Sequence, residues 1–128
     1  MHSLYVEVCT VRKSILAEAL ASRVLVACQI GSAVVVCDRP SRLMDQVRTQ
    51  LERLTDTNHS GYRSRISFGT GSLSDGPQNA VTFSGPSECK LYPPVCSTIF
   101  IVSKVSTEDA HMITSWMPPQ AHVVFLRT

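Results

Sequence analysis

The sequence contains no apolar run approaching the roughly 20 residues that a membrane-spanning helix requires. Its opening, Met1-His2-Ser3, carries neither the basic region nor the apolar core of a secretion signal. A soluble cytoplasmic protein without a membrane partner is therefore the expectation. Cysteines are present but do not form a C-x-x-C pair, and none of the four histidines (His2, His59, His111, His122) stands at zinc-finger spacing, so no metal is expected. The glycine-rich stretch Gly69-Thr70-Gly71-Ser72 lacks the lysine of a phosphate-binding P-loop, and no cofactor is expected from it. The net charge of +2 is too small to demand a polyanionic partner on its own. Internal repeats and low-complexity segments are absent too.

What is present is the composition of an ordinary globular protein, 44% hydrophobic and 17% charged over 128 residues, which fits one domain spanning 1–128. A chain of that length buries roughly two thirds of its unfolded surface and needs no disulfide framework. Five cysteines is an odd number. Cys9, Cys28 and Cys37 fall in expected strands and read as small apolar core residues. Cys89 and Cys96 lie in a proline-rich loop, and whether they pair stays open.

The chain is organised around Gly31 to Leu54. Ala33-Val34-Val35-Val36-Cys37 is a run of apolar, largely β-branched residues and reads as a buried strand. A polar loop from Asp38 to Ser41 follows, with Asp38 a plausible cap and Pro40 suited to the first helical turn. In the helix beyond, Leu43, Val47, Leu51 and Leu54 form one apolar stripe.

Ahead of this stretch, Leu4 to Val8 alternates as a first strand, and Val11 to Ser22 reads as a helix capped by Thr10. Arg12 and Lys13 fall in its first turn, where the helix dipole disfavours cations. Either the helix starts later or those charges have an outside partner. The run Val24-Leu25-Val26-Ala27-Cys28 within Arg23 to Ile30 reads as a second strand, joined by Gly31-Ser32 to the next as an antiparallel hairpin. Strand, helix, strand, turn, strand and helix are the elements of a ferredoxin-like βαββαβ plan.

Beyond a polar linker, Thr55 to Gly61, the segment Tyr62 to Phe68 alternates as a half-buried strand. Gly69 to Ser72 reads as a hairpin connection leading to a short strand at Ala80 to Phe83. Gly85 to Val95 contains three prolines and reads as an irregular surface excursion. The carboxyl-terminal part is a βαβ unit: strand Thr98 to Ser103, helix Thr107 to Met117, strand His122 to Leu126. Ser106 and Asp109 stand at capping-box spacing, and Pro118-Pro119 stops the helix.

Two constellations carry chemistry. In Cys37-Asp38-Arg39-Pro40-Ser41-Arg42 a cysteine ends a buried strand and an arginine opens a helix, an arrangement that would stabilise a thiolate. Its spacing resembles the six-residue active loop of rhodanese-type sulfurtransferases. That resemblance implies Cys37 as nucleophile and Arg42 as its anion-binding partner, although Pro40 stands where the loop would supply an N–H. The other is basic: Arg39, Arg42, Arg48, Arg53, Arg63 and Arg65 lie close in sequence, with Tyr62 as a platform for a base. Arg39, Arg63 and Arg65 are the ligand-binding candidates, and interleaved acidic residues make nucleic acid the less favoured partner.

The reading adopted is an α+β domain with a mixed sheet of five to seven strands and three helices packed mainly on one face. Its other face would then be bare, which implies a homo-oligomer or a protein partner. The function that follows is a non-catalytic interaction or regulatory module. Thiol chemistry at Cys37 and weak nucleic-acid binding through Arg39 to Arg65 are the alternatives.

Overall fold

The computed structural model describes residues 5–58, 66–70, 80–91, 96–102, 104–118 and 120–128. In chain order these form β1 (Tyr5–Thr10), a 3₁₀ turn (Lys13–Ile15), α1 (Leu16–Ile30), β2 (Ala33–Val36), α2 (Pro40–Asn58), β3 (Ser67–Thr70), β4 (Ala80–Ser84), α3 (Pro86–Leu91), β5 (Thr98–Val102), α4 (Thr107–Ser115) and β6 (His122–Arg127). The strands make one sheet in the order β1-β6-β5-β2-β4-β3, and every neighbouring pair is parallel.

The largest departure from expectation lies at residues 23–30. They continue α1 and do not form a strand. Leu20, Ala21, Val24, Ala27 and Cys28 are buried at helical spacing, whereas Val26 and Ile30 on the opposite side are exposed. Packing of that stripe on the sheet overrides the β preference of Val24 and Val26. Gly31 consequently ends a helix and makes no hairpin turn. A Cβ there would collide with the Ser97 side chain, so glycine permits the close approach of this corner to the start of β5. With the hairpin gone, the sheet is parallel and not mixed, and the ferredoxin-like plan does not apply.

Helices cover both faces. Connections leading from β1 to β2 and from β2 to β3 run one way across the sheet, while those from β4 to β5 and from β5 to β6 run the other way. Crossovers of one hand require helices on opposite faces when the direction reverses. Accordingly, α1 and α2 pack with Val35, Phe83, Phe100 and Val124 on one side. Cys89 of α3 and Ala110 and Ile113 of α4 pack with Val34, Val36, Ile99 and Val123 on the other. The four α-helices among the described residues thus replace the three expected on one face and cover the central strands on both sides, while Tyr5, Val6 and Val8 of the edge strand β1 stay exposed. Each central strand is buried on both sides, the pattern of a parallel sheet between helical layers.

Several local expectations hold. Leu43, Val47 and Leu51 are buried along α2. The Asp109 N–H donates to the Ser106 hydroxyl at 3.1 Å, capping α4. The α-helix following β1 begins at Leu16, beyond the cations Arg12 and Lys13, and Thr10 belongs to β1 and caps nothing. The first bond of α2 runs from Leu43 N–H to the Arg39 carbonyl, which places Pro40 at the first helical position and makes Arg39, not Asp38, the residue that enters the helix. Other expectations do not hold. Gly69 and Thr70 lie in β3, which is parallel to β4, so the segment between them is no hairpin connection. Residues 86–91 of the expected irregular excursion are helical, with Cys89 buried. The linker beyond 58 and the start of the Tyr62 strand lie outside the described residues. No helix among those described is long and apolar enough to cross a membrane.

Candidate functional site

β2 and β5 are neighbours, but the chain leaves their carboxyl ends in opposite directions, through α2 towards β3 and through α4 towards β6. Such a divergence opens a crevice at the carboxyl edge, where doubly wound sheets bind their ligands. A cavity of about 650 Å³ occupies that place. Cys37 and Val102 line its base at the strand ends. Lys13, Ser14 and the start of α1 form one wall, and Arg42, Gln46, Thr49 and Gln50 of α2 form the other. Asp38, Arg39 and Lys104 complete it from the two diverging loops.

The crevice is cationic. Among the described lining residues, Lys13, Arg39, Arg42 and Lys104 face one acidic side chain, Asp38, and none is Phe, Tyr or Trp. Lys104 Nζ lies 3.8 Å from Asp38 Oδ2 with both side chains substantially exposed, so this pair is weak. Lys13, Arg39 and Arg42 have no ion-pair partner among the described residues. Pro40, at the first helical position, has no N–H to offer an anion. The four cationic side chains supply the full positive charges of the crevice.

Of the residues singled out in the sequence, Arg39, Arg42 and Cys37 meet here. Arg63 and Arg65 lie outside the described residues. Arg48 is elsewhere, its guanidinium 5.0 Å from the centre of the Phe68 ring, tying α2 to β3. Cys37 is 2% exposed, and burial pushes its thiol up to about 12; the Arg39 N–H opposes this, while Asp38 and Cys89 add to it. At neutral pH the sulfur is a neutral thiol, the reverse of an activated nucleophile. Cys89 and Cys96 are buried free thiols as well, pushed by desolvation up to about 11 and about 12. Only Cys9 is partly exposed. It donates to Glu7 Oε2 at 2.9 Å and accepts from Arg23 at 2.9 Å. Iodoacetamide at neutral pH is expected to modify Cys9 first and to leave Cys37 intact until the protein unfolds. Timed labelling read by peptide mass spectrometry checks this, and labelling of native Cys37 ahead of Cys9 would restore the thiol reading.

Lys13, Lys104, Asp38, Gln46 and Gln50 were not recognisable as one site in the sequence. The only hint was Lys13 in a helical first turn where a cation is disfavoured. A smaller cavity of about 430 Å³ lies between α4 and the ends of β5 and β6, where Val105 and Phe125 meet the polar Thr107, His111, Thr114 and Arg127. Among the described residues no group of three His, Cys, Asp or Glu side chains is gathered to hold a metal ion.

Fold and crevice together define a doubly wound parallel α/β domain with a basic crevice at its topological switch point. Compared with known proteins, the chain matches no family model, no curated protein sequence and no solved structure.

Proposed function

We propose that this protein is a non-catalytic binding module that holds a small phosphate-bearing molecule in the crevice between α1 and α2. The observation that carries this reading is the convergence of Lys13, Arg39, Arg42 and Lys104 on one cavity at the switch point. Guanidinium groups favour phosphate oxygens through paired, charge-assisted hydrogen bonds. The volume lies within the roughly 300–1,000 Å³ of cavities that enclose small organic ligands.

The alternatives draw less support. A neutral, buried Cys37 argues against sulfurtransferase-like chemistry. A nucleic-acid strand would find Arg39 and Arg42 but, among the described residues of the crevice, no aromatic side chain on which to stack a base.

Titration of the protein with inorganic phosphate, followed by amide chemical shifts, is expected to give saturable changes around Lys13, Arg42 and Lys104. Because a hydrogen bond to a charged group contributes about 1.5–3 kcal/mol, the Arg39→Glu/Arg42→Glu double variant should bind roughly a hundredfold more weakly or worse. Saturable binding that the double variant retains would place the anion somewhere else.

A further inference from the structure

Asp38, the one acidic side chain among the described lining residues of this basic crevice, is at odds with a bare anion as the ligand. Asp38 opposes every negative charge that enters, and its partner Lys104 at 3.8 Å, on a loop of the opposite branch, neutralises it only weakly. Asp38 also makes none of the cap that would explain it locally, since α2 begins from Arg39. An ionised carboxylate accepts hydrogen bonds and donates none, so what it favours in a ligand is a hydroxyl. Acidic side chains at strand ends in doubly wound sheets hold sugar hydroxyls in this way. Further acceptors follow along α2: Gln46 and Gln50 are four residues apart on one stripe, beyond Arg42, and Thr49 adjoins them.

Resting on the phosphate reading above, we infer that the crevice selects a sugar phosphate, with Asp38 as the residue that sets this specificity. The phosphate takes the arginines and Lys13, and it draws Lys104 from Asp38. The released carboxylate accepts from the sugar hydroxyls. The absence of an aromatic side chain among the described lining residues disfavours a nucleotide, whose base would need a stacking surface.

The experiment compares inorganic phosphate with ribose 5-phosphate on the intact chain, in the wild type and in Asp38→Ala. Asp38 is half exposed and makes no bond within the core, so the variant should remain folded. The wild type is expected to bind ribose 5-phosphate roughly tenfold more tightly than phosphate, the discrimination that a hydrogen bond to a charged group provides. In Asp38→Ala, phosphate should bind several-fold more tightly, because a repelling charge is gone, and the preference for the sugar should collapse to within about twofold. A preference that survives in Asp38→Ala overturns the role of Asp38. Equal binding of both probes by the wild type overturns sugar selection while leaving the phosphate site standing. Failure of both probes to bind removes the phosphate site itself.

Discussion

Between pH 8 and pH 10 the protein is expected to lose about 5 kcal/mol of folding stability through its buried thiols. Burial pushes Cys28 and Cys89 up to about 11 and Cys37 and Cys96 up to about 12, against an unperturbed value of 9.0. Below pH 9 both folded and unfolded chains keep these protons, and the stabilisation is complete. Above pH 9 the unfolded chain releases them while the folded one holds them to about 11 or 12, so stability falls as pH rises. Each thiol accounts for about 1.4 kcal/mol at pH 10. Four together approach the whole stability of a small domain, roughly 5–15 kcal/mol. Urea unfolding at pH 7, 8, 9 and 10 measures the slope directly. A stability that stays level to pH 10 would contradict the burial of these four groups.

Phe100→Ala is expected to cost about 3–5 kcal/mol. Phe100 is 1% exposed and stands in a row across the sheet with Val124 of β6 on one side and Val35 of β2 and then Phe83 of β4 on the other. All four point beneath α1 and α2. Removing the ring deletes its transfer energy and leaves a cavity that neighbours on stiff parallel strands cannot collapse to fill. Ile30→Ala, on the exposed side of α1, is the control and should fall within about 0.5 kcal/mol of wild type. Denaturant midpoints at constant slope separate the two, and a Phe100 variant as stable as the control would refute the packing described.

Elements with a single dominant period were legible. β2, α2 and the carboxyl-terminal βαβ unit were read close to where they stand, because apolar spacing, Pro40 and Ser106 all point the same way. Residues 23–30 were not, since a local run of Val, Leu and Cys satisfies a strand as readily as a helical stripe. The stripe becomes visible only when Leu20 and Ala21 are counted together with Val24, Ala27 and Cys28. That one misreading propagated, because placing a strand before Gly31 creates a hairpin, and a hairpin makes the sheet mixed. The crevice was half legible: Arg39 and Arg42 were singled out from the loop, whereas Lys13 and Lys104 come from distant segments that only the reversal of strand order brings together.

The strand order also shapes how the fold can be reached. β1 pairs only with β6, and its partners in register, Tyr5 and His122, are 117 residues apart in the chain. β2 meets β4 and β5 only across the long stretch that contains α2 and β3. Every contact of this kind closes a large loop before it gains anything, so folding belongs to the slow, high-contact-order regime of milliseconds to seconds. On the ribosome, β1 emerges long before β6 is synthesised and must wait with Tyr5, Val6 and Val8 unpaired. During synthesis, this interval is when the chain is most open to capture by a chaperone or by another nascent copy of itself.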